Sequence, residues 1–270
     1  MTTVTTIPQE LVDTIVDYLH ADLHVLATCG IVCRAWLPSS RYHLFQCVFL
    51  NPQNTSKFSE LLSSPCSTIA TSVQFLEISN EVIGRQNQSL YQWLEHSMIH
   101  LADLTAVKSL RIRNMVWSEV KPETKSILLC SFRILRELEL WGVDFKTLTQ
   151  LLDIACAFPS LERISVDDLG WVDPSFESPR SPERRLPSTL HTLHLGYCYK
   201  RDILHWILVH HPVPIIHHIH LGTVYQKDTN AIGQYLRFLG SALHTLRLGF
   251  SDLDAGGDAG TFLIHCNVGY

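Results

Sequence analysis

The sequence lacks the features of secreted, membrane-spanning and nucleic-acid-binding proteins. Its N-terminus, MTTVTTIPQELVD, has no basic segment followed by an apolar core, so it is not typical of a secretory signal. No apolar run approaches the roughly 20 residues that span a bilayer. The net charge is −5 and no run of lysine or arginine stands out, so neither a membrane nor nucleic acid is predicted as a partner.

Paired cysteines and catalytic motifs are also missing. The eight cysteines include no Cys-x-x-Cys pair, which favours reduced thiols in the cytosol or nucleus over a disulfide framework or a zinc site. There is no Gly-x-Ser-x-Gly elbow, no phosphate-binding glycine loop and no His-Glu-x-x-His motif. We therefore predict no catalytic residue, no cofactor and an intracellular, cytoplasmic or nuclear protein.

One segment, SDLDAGGDAG at 251–260, has the acidic spacing of a calcium loop only superficially. Gly256 stands where a ligand side chain is expected, and Leu263 occupies the position of the closing glutamate. We predict a flexible loop there.

A six-residue frame of aliphatic residues, L-x-x-L-x-L, recurs through most of the chain. The steps between successive copies are 34, 28, 26, 29, 26 and 27 residues. The seven copies are VQFLEI (73–78), VKSLRI (107–112), LRELEL (135–140), LERISV (161–166), LHTLHL (190–195), IHHIHL (216–221) and LHTLRL (243–248). Such a period indicates an array of repeats that bury a shared core.

This period and frame are similar to those of leucine-rich repeats. Side chains alternate along a strand, so the last two aliphatic residues of each copy face inward together. Parallel strands need long connections, and helical patterns occupy most of the gaps. We predict an α/β solenoid of about seven repeats over 73–270, with a parallel β-sheet on its concave face. The proline-rich stretch 172–189 is predicted to be a flexible loop that replaces a helix.

The residues between the aliphatic positions are predicted to face a protein substrate on the concave side. An exposed tryptophan beside arginines and carboxylates is typical of an interaction hot spot. The candidates are Glu77, Arg111, Arg113, Glu139, Trp141, His194, His218, His220 and Arg247. A cross-strand charge ladder that serves only solubility is an equal alternative for Glu77, Arg111 and Glu139.

The histidine-rich copy at 216–221 raises the question of a metal. His194, His218 and His220 are predicted to lie close together, about one strand spacing (~4.8 Å) apart. Arg247 would place a cation beside the ion, and no neighbouring carboxylate orients the rings. We predict no metal site, and an outward-facing histidine patch whose charge changes near pH 6.5.

The first fifty residues follow a different pattern. Pro8 is typical of a helix entry, and Leu11, Ile15 and Leu19 follow at steps of four as an apolar stripe. A second apolar helix runs to residue 36, Pro38 interrupts it, and a third short helix leads to the strand-like CVFL. This core is too small to be robust alone, so it is expected to depend on the repeats or on a partner.

These residues resemble an F-box of the fungal F-box-like variety, over residues 7–50. The resemblance is carried by Ile7-Pro8, Glu10-Leu11, Ile15, Leu19, Leu26, Val32-Cys33-Arg34 and Trp36. It implies a three-helix F-box domain at 1–50, a connecting helical segment at 51–72, and repeats behind them.

The resemblance also implies a function. A Skp-type adaptor would bind the F-box and link it to a cullin-based SCF ubiquitin ligase, while the repeats bind an unknown protein substrate. The candidate adaptor-binding residues are Ile7, Pro8, Leu11, Ile15, Leu26, Val32, Cys33 and Trp36. The sequence does not separate those that touch the adaptor from those that fill the three-helix core.

Several alternatives stay open at this point. The N-terminal helices fit an ordinary cap on a solenoid, and the whole chain fits a repeat scaffold without a ligase role. A metal-dependent enzyme ranks third. The last ten residues, TFLIHCNVGY, contain neither the frame nor a polar capping helix, so the array either ends open or belongs to a longer protein.

Overall fold

The aliphatic frame forms one continuous β-sheet. The computed structural model describes residues 7–65, 67–81, 91–171, 185–209, 212–250 and 261–265. The strand order is β1-β2-β3-β4-β5-β7-β8-β9-β10, and the two-residue β6 pairs with β4. The strands are β1 Cys47–Leu50, β2 Phe75–Ser79, β3 Ser109–Val116, β4 Glu137–Phe145, β5 Arg163–Asp167, β6 Gly170–Trp171, β7 Thr192–Leu195, β8 His218–Val224, β9 Thr245–Phe250 and β10 Thr261–His265.

The seven copies of the frame are in register across the parallel strands. The first aliphatic of each copy, from Val73 to Leu243, lies just before its strand and is at most 5% exposed. The second aliphatic pairs with its counterpart in the next strand all the way from Leu76 to Leu246. Because every inward position stacks on the same position of its neighbour, the core is continuous along the sheet.

The two edges of the sheet differ from the array between them. Strand β1 lies within the predicted N-terminal unit, yet it pairs in parallel with β2 and extends the sheet. Strand β10 pairs with β9 in the antiparallel direction, unlike the parallel frame strands. The predicted loop at 251–260 and residues 172–184 of the predicted loop at 172–189 lie outside the described residues.

Nine α-helices occur among the described residues. The first three lie in the N-terminal segment, and α5 to α9 connect successive strands. They are α1 Gln9–Tyr18, α2 Leu23–Val32, α3 Leu37–Phe45, α4 Thr55–Ser63, α5 Gln92–Leu101, α6 Pro122–Ser131, α7 Leu148–Ala157, α8 Lys200–Val209 and α9 Thr229–Leu239. Within this described part, no helix has the length and apolar character to cross a bilayer.

The buried side chains form two clusters. The larger one joins the frame aliphatics to helix residues such as Leu94, Leu151 and Ile203, so the connecting helices cover one side of the sheet. The smaller one contains Val12, Val16 and Leu26, with other apolar side chains packed around them. The structure therefore confirms a mixed α/β fold with a parallel sheet, whereas the repeat number and the F-box stay predictions.

Two of the three residues of the apolar stripe expected on α1 lie outside the N-terminal core. Val12 and Val16 are buried, whereas Leu11 is 55% exposed and Ile15 is 41% exposed. Leu11 and Ile15 are four residues apart, and so are Val12 and Val16. Helical periodicity alone therefore does not decide which row faces the core. The valines are buried, Leu11 and Ile15 face outward, and Leu19, the third residue of the predicted stripe, packs half-buried against the valine cluster.

Candidate protein-interaction surfaces

The side of the sheet opposite the helices carries the residues that alternate with the aliphatic frame. We call this side the open face. Its central column pairs residue by residue across the strands. The column runs Glu77, Arg111, Glu139, Ser165, His194, His220 and Arg247. The polar residues predicted from the frame are therefore aligned on one side of the sheet.

A charge ladder occupies the first part of this column. The Arg111 guanidinium donates to Glu77 Oε2 at 3.1 Å and to Glu139 Oε2 at 2.8 Å. Burial lowers the pKa of Arg111, but its hydrogen bonds to Glu139 and Glu77 outweigh that effect and the net pKa is raised. The three side chains thus form the cross-strand ladder that was one of the two expectations for them.

Glu77 is a correction to the substrate-facing set. Its residue exposure is only 7%, so it is not available to a partner. Arg113 Nη1 lies 3.4 Å from Glu77 Oε1, which gives this carboxylate a second cation. A buried carboxylate needs such partners because leaving water is costly for a charge. Glu77 therefore holds the guanidinium groups of Arg111 and Arg113 in place.

Trp141 is half-buried, not fully exposed. The Arg113 guanidinium lies 4.3 Å from the centroid of the Trp141 ring, in a cation–π contact. Glu77 holds the same guanidinium, so both the ring and the cation have restricted conformations. An aromatic and an arginine that are already ordered lose little entropy on binding, which suits them to a protein interface.

Two stacked imidazoles continue the central column. The rings of His194 and His220 are 4.1 Å apart at their centroids and 13° from parallel. Ser165 Oγ lies 2.9 Å from His194 Nδ1. Burial, then the positive charges of His194 and Arg247, lower the pKa of His220 to about 4. Burial also lowers the pKa of His194. The pair is therefore uncharged at neutral pH.

His218 belongs to a different group of rings. It makes edge contacts with His191 and His244, at 6.4 Å and 6.0 Å between centroids. His217 stacks on His244 at 4.7 Å. Burial and the neighbouring histidines lower the pKa of His218. The expected single patch of three histidines is thus two groups, and the pKa of each of its three members lies below the usual value near 6.5, at about 4 for His220.

The second group was not identified from the sequence, although its signal was there. His191, His217 and His244 are the second residue of the frame in three consecutive copies, LHTLHL, IHHIHL and LHTLRL. In-frame identity across copies places side chains side by side in a parallel stack. Among the described residues, no three His, Cys, Asp or Glu side chains are placed to hold a metal ion.

The structure divides the eight candidate adaptor-binding residues into two sets. Leu26 is fully buried, and Trp36 packs against the same small core. Leu26 is therefore a correction, because it supports the helices and does not reach a surface. The exposed members are Ile7, Pro8, Leu11, Ile15, Val32 and Cys33.

The exposed set is unusually apolar. Ile7 is 56% exposed and Val32 is 61% exposed, and neighbouring Leu23 and Ile31 are exposed as well. We call Ile7, Leu11, Ile15, Leu23, Ile31 and Val32 the N-terminal apolar set. So many exposed large aliphatic side chains on two short helices and the residues just before them are typical of a surface that another protein covers.

Comparison with known proteins finds weak structural likeness only. No protein-family model matches this sequence, and no curated protein matches it. An internalin from Listeria monocytogenes is similar over 71% of this chain, with 13% identity and a TM-score of 0.34. This match spans 53% of the internalin, about half its length.

The leucine-rich repeat domain of the type III effector XopL is also similar. It matches 82% of this chain and 73% of its own, with 14% identity and a TM-score of 0.33. Both likenesses are weak, and neither assigns a function to this chain.

Proposed function

We propose that this chain is a non-catalytic substrate receptor of an SCF-type ubiquitin ligase. In this proposal α1 to α3 are an F-box that binds a Skp-type adaptor, and through it a cullin. The leucine-rich repeats bind a protein substrate, and another subunit transfers ubiquitin. The observation that carries the proposal is the N-terminal apolar set, on the helices whose sequence resembles an F-box.

The physical basis is the cost of exposing apolar surface. Leu11 and Ile15 lie one helical turn apart on α1, and about half of each residue's surface is in contact with water. Full burial of an exposed aliphatic side chain contributes about 1.5–3 kcal/mol, and covering these half-exposed side chains gains roughly half of that for each. A partner that covers these side chains would also stabilise a unit whose buried cluster, among the described residues, is built on Val12, Val16 and Leu26.

The open face is the proposed substrate surface. Arg113 and Trp141 are half-buried and ordered by each other and by Glu77. Toward β9 the column becomes uncharged imidazole and then Arg247, which is exposed. The two halves differ in chemistry, so a substrate would be recognised by an arginine–tryptophan site and a neutral aromatic site together.

Adaptor binding is tested with the purified full chain and a purified Skp-type adaptor. We expect the intact chain to bind, and the Leu11→Asp, Ile15→Asp double variant to bind at least about tenfold more weakly, because both side chains would be interface anchors. Ile99→Asp is the matched control, since Ile99 is an exposed aliphatic residue on α5, at 70% exposure.

The outcome decides between two classes of function. Binding of the wild-type chain that is lost in the double variant and kept in Ile99→Asp supports the ligase proposal. If the folded wild-type chain does not bind the adaptor, the proposal is wrong. The remaining candidate is then a leucine-rich-repeat interaction scaffold without a ligase role, for which the open face is the supporting observation.

A further inference from the structure

A tyrosine-lined cavity lies beside the open face, at the C-terminal ends of the parallel strands. Its volume is about 500 Å³. Residues that follow β7 and β8 bring three tyrosines into its wall, Tyr197, Tyr199 and Tyr225, and Asp168 follows β5. The volume falls within the roughly 300–1,000 Å³ of ordinary ligand pockets. We call it the tyrosine cavity.

The wall of the tyrosine cavity is held in place from several sides. The backbone N–H of Tyr197 donates to Asp167 Oδ1 at 2.6 Å. The Tyr199 ring packs on Trp171, with 4.6 Å between centroids. The ammonium of the fully buried Lys200 donates to Gly196 O at 2.5 Å and Thr223 O at 2.9 Å, which ties the end of β7 to β8. A wall ordered in advance costs little entropy when a ligand binds.

A lysine of the chain itself lies against two of the tyrosine rings, which shows that these rings accept a cation. Lys227 Nζ lies 5.7 Å from the centroid of Tyr199 and 5.7 Å from the centroid of Tyr225. Both distances are within the roughly 6 Å range of cation–π attraction. Lys227 is exposed and has no ion pair with any described residue, so these ring faces are what its ammonium contacts.

Two carboxylates line the same cavity. Asp144 and Asp168 are both exposed, and neither forms an ion pair with a described cation. Cys198 also lines it, but burial raises the pKa of its thiol to about 12, which leaves the thiol inert. Aromatic faces with unpaired carboxylates are the chemistry that recognises a cationic side chain.

We propose that the tyrosine cavity binds a lysine or arginine side chain of a protein partner. The cation would take the place of the Lys227 ammonium on the tyrosine faces and would pair with Asp144 and Asp168. None of the residues that carry this inference lies in α1 to α3. Adaptor binding and cation binding can therefore fail independently of each other.

The test measures binding of a fluorescein-labelled glycine–serine peptide that contains three arginines, by fluorescence polarisation with the full chain. The same peptide with citrulline or with glutamate in place of arginine is the probe control. Lys227→Met is the decisive variant, because it removes a charge that competes with a cation but would assist an anion. We expect it to tighten binding of the arginine peptide about threefold, in line with a surface cation–π contact.

Removing a tyrosine ring or the two carboxylates that would receive the cation should weaken binding of the arginine peptide. We expect Tyr199→Leu, which removes one of the two ring faces on the Lys227 ammonium, and the Asp144→Asn, Asp168→Asn pair each to weaken binding about fivefold or more. Tyr18→Leu and Asp103→Asn are the matched controls, on an exposed tyrosine and an exposed aspartate outside the cavity. Circular dichroism of each variant verifies that it is folded.

Several results would overturn the proposal. These are weaker binding of the arginine peptide by Lys227→Met, equal binding of the citrulline peptide, or preference for the glutamate peptide. A similar loss in Asp103→Asn would also contradict it, because it would point to general attraction by a chain of net charge −5. Binding of a neutral oligosaccharide with no binding of the arginine peptide would assign the cavity to another ligand class.

Discussion

At the scale of single residues, stacking across parallel strands determines the properties of the open-face side chains. His194 and His220 occupy the same frame position in β7 and β8, so their rings lie face to face at 4.1 Å. A proton on one ring repels a proton on the other, and both rings are partly removed from water. Burial lowers the pKa of both rings, and the neighbouring His194 lowers the pKa of His220 further.

This titration predicts an acid-dependent loss of stability. The pKa of His220 is about 4 in the folded chain and about 6.5 when unfolded, so the unfolded state takes up the proton first. The part of the free energy of unfolding that depends on a neutral His220 is fully present above pH ~6.5 and is lost as the pH falls toward ~4. The pKa of His194 and of His218 is lowered too, which adds to the effect in the same direction.

We expect His220→Phe, which keeps a ring but cannot be protonated, to lose less stability than the wild type between pH 7 and pH 5. Urea unfolding at both pH values measures this difference. His96→Phe, an exposed histidine on α5, is the control and should keep the wild-type pH dependence. An equal loss of stability in the wild type and in His220→Phe would show that the stack does not titrate as described.

Gly196, directly after β7, occupies a position where packing leaves no room for a side chain. A Cβ at Gly196 would collide with the Asp167 carboxylate, and a Cβ at Gly222 would lie 3.0 Å from Gly196 Cα. We expect Gly196→Ala to lower the free energy of unfolding by about 1–3 kcal/mol, since the collision involves a fixed neighbour.

Gly233→Ala is the matched control for this prediction. Gly233 lies within α9, where an added Cβ meets no atom within 4 Å. It should stabilise the chain by up to about 1 kcal/mol through helix propensity. Denaturant midpoints of the two variants should move in opposite directions, and a shift of both in the same direction would contradict the packing explanation.

At the scale of elements, the N-terminal helices show where periodicity stops being informative. Two apolar rows run along α1 at the same spacing, and the stripe predicted from the sequence is Leu11, Ile15 and Leu19, of which Leu19 packs against the small core. The structure buries Val12 and Val16, because α3 approaches from that side and carries Trp36 and Leu44 into the same cluster. Which row faces inward depends on the neighbouring helix, which no local pattern describes.

The two separate cores predict separate opening of the N-terminal unit. We expect Leu26→Ala to cost about 2–5 kcal/mol, and the cost should be confined to α1 to α3 because Leu26 belongs to the smaller cluster. Hydrogen exchange followed by mass spectrometry should show faster exchange in α1 to α3 with unchanged protection of the sheet.

Leu138→Ala is the comparison for Leu26→Ala. Leu138 is a buried frame residue of the central strand β4, so this variant should accelerate exchange in the sheet. If Leu26→Ala instead accelerates exchange uniformly along the chain, the two clusters unfold as one unit and the inference of a separate N-terminal core is wrong.

At the scale of the whole molecule, the sheet and its register could be predicted, whereas its edges could not. The frame copies define which residues face the core, and each stacks on its counterpart in the next strand. The edge strands have no such copy to match. β1 and β10 pair with β2 and β9 through backbone hydrogen bonds, in opposite senses, and their sequences carry no frame.

The spacing of aliphatic residues alone was enough to specify the parallel sheet and the columns of side chains on its open face, because every copy makes the same choice of inward positions. Accessibility, titration and cavities came only from the folded chain. Glu77 is buried by two arginines, the histidines divide into two groups, and the tyrosine cavity is assembled from residues that follow different strands. These properties depend on distances between residues remote in the chain, which a repeat frame does not contain.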